Sequence, residues 1–203
     1  MARVGTTIEH PVTGERIVFR ETAATTNGEL LLVDIYLRPG GFIAGEHIHP
    51  HAHELFEIVS GTGRFRIGGV ERTATVGQQV VVGKGTPHVW WNGGDDELHA
   101  VMSFRPALRM EHFFENFFGL GKAGRTNARG IPHPLQLAVL MREFEPEIYP
   151  STPPLIVQRA LLGPLAVLGR ALGLQARYSK YESGSGRRSG RSSGAREAVE
   201  VGG

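Results

Sequence analysis

The chain has 203 residues, no cysteine and a formal net charge of +2. That length suits one buried core with an appendage, and the missing thiols exclude disulfides and thiolate metal ligands, so a bound metal must be held by nitrogen and oxygen. The small charge gives no electrostatic footprint for nucleic acid, and no segment reaches the ~18 uninterrupted apolar residues of a membrane-spanning helix or the apolar run of a signal peptide, so the expectation is a soluble, cytoplasmic protein with no nucleic-acid or membrane partner.

From Glu15 to Phe104 short β-branched and aromatic runs alternate with glycine-rich turns, the pattern of an all-β barrel or sandwich. The predicted strands are Arg16–Glu21, Glu29–Leu37, Glu46–His49, Glu54–Ser60, Gly63–Ile67, Val70–Thr75, Gln79–Val82, His88–Asn92 and Glu97–Phe104. Turns fall at Pro39-Gly40-Gly41, Gly61-Thr62-Gly63, Gly68-Gly69, Gly83-Lys84-Gly85 and Gly93-Gly94-Asp95-Asp96. After Pro106 the period changes: Met110, Phe113, Phe114, Phe117 and Phe118 recur at helical spacing. A second helix is expected over Leu135 to Phe144. A third follows Pro153-Pro154, with Leu155, Leu161, Leu162, Leu165, Leu168 and Leu172 as its apolar positions and a break or bend near Gly163-Pro164. These helices are expected to fold back over the barrel or a sheet edge, with a lid over the barrel mouth as the sharper alternative. The expected organisation is a barrel over 1–106, a helical extension over 107–181, and a Gly/Ser/Arg tail over 182–203 containing Arg187, Arg188, Arg191 and Arg196.

Four of the nine histidines lie in the stretch His47-Ile48-His49-Pro50-His51-Ala52-His53-Glu54, and His88 follows a glycine-rich turn. Imidazole and carboxylate are borderline-hard ligands suited to a divalent transition metal. Alternate residues of a strand share a face, so His47 and His49 point together. His51 and His53 would do the same only if the strand continued, and Pro50 argues against continuation. Alternation also puts Phe56 and Ile58 on the face of Glu54, and Trp90 and Asn92 on the face of His88. His51 and His53 are read as solvent-facing, His99 as structural, and His10, His112 and His133 show no constellation.

The run Gly41-(x5)-His47-x-His49-(x4)-Glu54-(x6)-Gly61 resembles the first signature motif of the cupin superfamily. Gly77-(x5)-Gly83-x-Gly85-(x2)-His88-(x3)-Asn92 resembles the second, with Gly83 where proline is common. The competing frame His51-x-His53-(x3)-Glu57 places Gly61 too close to its glutamate. The likeness covers roughly Val33 to Phe104, and the fifteen residues Thr62 to Val76 between the motifs resemble the spacing of single-domain bacterial cupins.

The resemblance implies a fold that is all-β, a double-stranded β-helix or jelly-roll barrel, followed by a short α-helical extension. It implies a metal held by His47, His49, Glu54 and His88, with Glu54 also a catalytic base; strand alternation adds Phe56 and Trp90 to the expected substrate pocket, and Arg105, at the end of the last strand, is the cation expected to meet a substrate carboxylate. The implied cofactor is a divalent transition metal, Fe(II) favoured over Mn, Ni or Zn. The expected activity is a quercetinase-like or diketone-cleaving dioxygenase acting on a small-molecule substrate. A non-redox isomerase, cyclase or lyase and a non-catalytic binding protein remain alternatives, and relatives suggest a homodimer.

Overall fold

The computed structural model describes residues 2–183; the tail with Arg187, Arg188, Arg191 and Arg196 lies outside them. Eleven strands and three helices follow in the order β1 (Thr7–His10), β2 (Glu15–Glu21), β3 (Leu31–Leu37), β4 (His47–Ile48), β5 (His53–Ser60), β6 (Thr62–Ile67), β7 (Val70–Thr75), β8 (Gln79–Val82), β9 (His88–Asn92), β10 (Leu98–Arg105), α1 (Met110–Lys122), α2 (Pro134–Glu143), β11 (Tyr149–Pro150) and α3 (Leu155–Ala171). The chain is therefore mixed rather than all-β. Two antiparallel sheets make the sandwich, one ordered β1-β2-β3-β10-β5-β8 and the other β11-β4-β9-β6-β7.

Alternation decides what the sandwich buries. On β3, Leu31, Val33, Ile35 and Leu37 point inward, and on β10, Leu98, Ala100, Met102 and Phe104 face them in register. Phe56 and Ile58 of β5 join this layer, and Phe65 and Trp90 close it from the second sheet. Burying an aliphatic or aromatic side chain contributes about 1.5–3 kcal/mol, so these inward rows hold the two sheets together.

Two glycines of the motifs are fixed by contact. A Cβ on Gly41 would lie 2.8 Å from the Arg38 carbonyl oxygen, and Gly61, at φ +79°, brings its α-carbon so close to β10 that a Cβ would lie 2.9 Å from Leu98 Cα. Only glycine meets both demands without strain.

Two short strands escape the sequence pattern. β1 precedes the first predicted strand and pairs with β2, and β11, only two residues long, lies between helices. β11 pairs with β4, Pro150 opposite His47, so the second sheet takes its edge strand from the helical half.

The aromatic face of α1 is buried as its spacing predicts, with Met110, Phe113, Phe114, Phe117 and Phe118 turned toward the barrel. α3 behaves differently. It runs through Pro164 as one helix, and it buries Gln158, Ala166 and Gly169 while Leu161, Leu165, Leu168 and Leu172 stay exposed. The reason is close packing on α2: a Cβ on Gly169 would meet Val139 at 2.8 Å and the Leu135 carbonyl at 3.0 Å, so the helices approach through small residues and the leucines turn away. Among the described residues no helix is long and apolar enough to cross a membrane.

Candidate metal centre and its cavity

His47 and His88 face each other as register partners on β4 and β9. His49 follows β4, which ends at Ile48 just before Pro50, and alternation keeps it on the same face as His47; their rings lie 4.9 Å apart. Glu54 comes from the opposite sheet, buried on β5 across from Phe104. Ligand atoms of His47, His49, Glu54 and His88 all lie within 4.8 Å of one another. Glu54 Oε2 is 2.7 Å from His88 Nε2 and 3.7 Å from His49 Nε2.

The orientation of each ring selects one tautomer. His47 Nδ1 donates to the Gly45 carbonyl at 3.0 Å, His49 Nδ1 to the Glu147 carbonyl at 2.7 Å, and His88 Nδ1 to the Thr86 carbonyl at 3.0 Å. A carbonyl can only accept, so the proton sits on Nδ1 and each Nε2 lone pair is presented to the centre, the arrangement that orients metal-ligating imidazoles. Burial pushes the His47 pKa well below its ordinary value, helped by His88 and His49, and burial likewise lowers that of His49 against the opposing charge of Glu54. Both are therefore neutral, the ligating form. At His88 burial pushes down but is outweighed by the charge and contact of Glu54 and by the Thr86 carbonyl, so its pKa is raised.

The donor set fits a divalent transition metal. Glu54 Oε2 and His88 Nε2 are buried without a properly aligned hydrogen bond despite their close approach. An unsatisfied buried carboxylate oxygen is costly, and a shared cation satisfies both atoms. Neighbouring donors around an ion with bonds of ~2.1 Å stand roughly 3 Å apart, which the 2.7 and 3.7 Å separations bracket.

The centre opens into a cavity of about 450 Å³, walled by Trp90, Met102 and Phe104 from the barrel and by the aromatic face of α1. Trp90 therefore lines it as alternation suggests. Phe56 does not: it sits one layer behind, packed against Phe65 and Trp90, in the sandwich core. Arg105 is exposed and absent from the wall, because Phe104 takes the inward position and its neighbour must face out. The cation on the cavity wall is Arg66, 3.3 Å from Glu46, whose carboxylate also accepts from Ser151 Oγ at 2.6 Å.

The remaining histidines divide by environment. His51 and His53 are exposed. His99 turns outward opposite Leu98, stacks on Tyr36 and meets Asp34 at 2.9 Å. His10 is buried against Phe117 and Phe118. His112 does belong to a constellation, contrary to the sequence reading: it lies 3.3 Å from Glu182 and 3.9 Å from Glu115, with Arg177 bonded to both Glu182 oxygens at 2.7 and 2.9 Å. That guanidinium already supplies the cation, so the cluster is an ion-paired clasp between α1 and the last described residues. The sequence gives no spacing signal for it, since its members are separated by up to 70 positions.

The sequence also gives no sign of Glu147, whose carbonyl orients His49. Its carboxylate is buried and clamped by Arg109, at 2.8 Å from Nε and 3.1 Å from Nη2, and Arg109 also bonds Glu143.

A two-sheet β-sandwich with three histidines and a glutamate converging between its sheets defines the class of small barrels with a candidate metal centre. Residues 33–104 match the family model described as Cupin domain, so this stretch of the chain is a cupin domain. No curated protein matches the chain by sequence. Among solved structures, a predicted oxalate decarboxylase from Thermotoga maritima is 19% identical, with 52% of this chain and 98% of that chain covered and a TM-score of 0.46. The cupin domain of Schizosaccharomyces pombe Cnp3 is 10% identical, covering 45% of this chain and 64% of that one, TM-score 0.41. The oxalate decarboxylase of Bacillus subtilis, a protein with Mn(II) centers, is 22% identical over 46% of this chain and 26% of that chain, TM-score 0.40. The aligned parts thus span under two thirds of the Cnp3 domain and about a quarter of the Bacillus enzyme.

Proposed function

We propose that the protein is a metal-dependent enzyme acting on a small organic molecule, a dioxygenase of the quercetinase-like or diketone-cleaving kind that uses Fe(II). One observation carries this reading: four ligand atoms, from His47, His49, Glu54 and His88, converge at one wall of an apolar cavity large enough for a drug-sized molecule. When bound, the metal supplies a Lewis acid for an enolate or diketone oxygen and, as Fe(II), a place for dioxygen to react.

The chain's own residues supply the rest. The three Nδ1-to-carbonyl hydrogen bonds hold the imidazoles in the ligating tautomer. Glu54 brings one negative charge, so the loaded site keeps a net charge near +1 that draws anionic oxygen, and its Oε2 can also carry a proton to or from the substrate. Trp90, Phe104 and the α1 phenylalanines keep water away from the reacting carbon. A cytoplasmic setting and a homodimer belong to the same proposal.

The test begins with metal analysis by mass spectrometry on untagged protein and on a His49→Ala variant. Near-stoichiometric metal in the parent and its loss in the variant is the expected result. Protein reconstituted anaerobically with Fe(II) is then given 1-phenyl-1,3-butanedione or quercetin and oxygen, and uptake is followed at an electrode. Stoichiometric oxygen uptake supports the dioxygenase. Uptake by neither substrate, with zinc, nickel or manganese in the protein as isolated, redirects the assignment to isomerase, cyclase or lyase chemistry, and protein that takes up no metal at all overturns the reading.

A further inference from the structure

At the other end of the same cavity stands a second polar group. Glu15 opens β2 and shares the inward face with Ile17 and Phe19. The residue is only 6% exposed, and it lines the cavity. Among the described residues it has a single hydrogen-bond partner, Thr13 Oγ1, which donates to Oε2 at 2.6 Å. No arginine or lysine among the described residues pairs with it. Burial pushes its pKa up to about 7, partly offset by Thr13. A carboxyl kept this dry on an apolar wall, with one oxygen unbonded, is costly for folding alone, and it can both donate and accept a hydrogen bond near neutral pH.

The register measures how far it lies from the metal ligands. Glu15 stands opposite Leu37, and Leu37 opposite Leu98, whereas Glu54 stands opposite Phe104. Six residues of β10 separate the two levels, roughly 20 Å along the strand at ~3.3 Å per residue. The wall between them is apolar, with Phe104, Met102 and Ile35 in diagonal sequence on the sheet and Phe114, Phe117 and Phe118 roofing them from α1.

From this geometry we infer that the ligand is an elongated, largely apolar molecule with a metal-binding oxygen group at one end and a hydroxyl or similar hydrogen-bonding group at the other, and that Glu15 is the residue that recognises the far end. The inference rests on the metal reading above for its near end. Glu15 touches the ligand and not the reacting atoms, so it sets specificity. A two- or three-carbon acid would leave most of the cavity unfilled.

The experiment uses hydroxamates as probes, since a hydroxamate grips a divalent metal whatever the native reaction is. Acetohydroxamate, dodecanohydroxamate and 12-hydroxydodecanohydroxamate are titrated calorimetrically into the full chain loaded with one equivalent of Zn(II), and into metal-free protein. Each buried methylene is worth roughly fourfold in affinity, so the twelve-carbon probe is expected to bind at least about 100-fold more tightly than acetohydroxamate. The terminal hydroxyl decides the role of Glu15. Without a partner it costs affinity on burial; with Glu15 it is expected to bind within threefold of the plain chain or more tightly, and Glu15→Leu is expected to reverse that preference by roughly tenfold. The wild-type comparison stands alone if Glu15→Leu does not fold. A hydroxyl penalty above threefold in wild type, or no gain with chain length while acetohydroxamate binds, overturns the inference and leaves the metal centre intact. Failure of Zn(II) to promote acetohydroxamate binding instead removes the metal reading and the near end of the inferred ligand with it; the metal-free titrations then report the cavity separately.

Discussion

His49 Nδ1 donates a 2.7 Å hydrogen bond to the backbone carbonyl of Glu147, 98 residues further along the chain. The candidate metal-ligand motif and the helical half are thereby one unit: the segment after α2 sets the angle of an imidazole on the barrel, and β11, immediately following, pairs with the strand that carries His47. The carboxylate of the same Glu147 is held by Arg109 at the start of α1, so three separate elements fix the direction of one Nε2 lone pair.

Breaking that clamp should be felt at the metal. Arg109→Met leaves the buried Glu147 carboxylate without its partner. Losing one member of a buried pair costs about 3–5 kcal/mol; with the Arg109 side chain 39% exposed, solvent screening reduces the expected loss to about 2 kcal/mol in urea denaturation. Disturbing an oriented ligand typically weakens metal affinity about tenfold or more, which competition against a chromophoric chelator measures. An unchanged affinity would show that the Glu147 carbonyl is held in place by its backbone alone.

Glu15 makes stability depend on pH with a defined sign. Its folded pKa, about 7, lies above the ordinary carboxyl value of 4.5, so the folded state holds a proton that the unfolded state releases. Its contribution is fully present below pH ~4.5 and is lost as pH rises through ~7. Glu15→Gln keeps an acceptor for Thr13 and cannot ionise. The difference in unfolding free energy between variant and parent is expected to be small at pH 4.5 and to reach roughly 2–3 kcal/mol in the variant's favour at pH 8. A pH-independent difference would mean that water or a counter-ion reaches the carboxylate.

The two arginines near the site should behave differently. Arg105→Ala removes an exposed side chain off the cavity wall, and both Zn(II) affinity and dodecanohydroxamate affinity are expected to stay within about twofold. Arg66→Ala releases Glu46 at the cavity wall and adds uncompensated negative charge near the metal ligands. It is expected to weaken hydroxamate binding severalfold, an effect that shrinks as salt is added.

Phe118 tests the α1 wall. It is 2% exposed and packs on His10 and Phe114, so Phe118→Ala is expected to cost about 3 kcal/mol. Because Phe118 borders a space that already exists, the loss is expected at the lower end of the range for a buried phenylalanine, and thermal denaturation with and without dodecanohydroxamate reads both stability and restored binding.

Much of this molecule is written locally. Period-two alternation and glycine turns place β2 to β10 within a few residues, because a strand's faces follow from its own sequence. Within the candidate ligand set, His47 and His49 pair for the same reason, since alternation puts them on one face and Pro50 argues against carrying the strand on to His51 and His53; Glu54 and His88 join them only through the resemblance of their motifs to those of cupins. The aromatic stripe of α1 is equally local. What the sequence leaves open depends on encounters between distant segments. Phe56 and Trp90 share the same inward alternation, yet only the packing of two sheets decides that one lines the cavity and the other lies behind it. α3 carries its leucines outward because Ala166 and Gly169 permit closer contact with α2 than the leucines would. Glu147 acts through its backbone carbonyl, a group every residue possesses, so no side-chain pattern could mark it. Alternation and spacing thus determine which residues face inward; only the tertiary structure decides which of them meet, since a hydrogen bond or a cavity wall is a property of two segments and not of one.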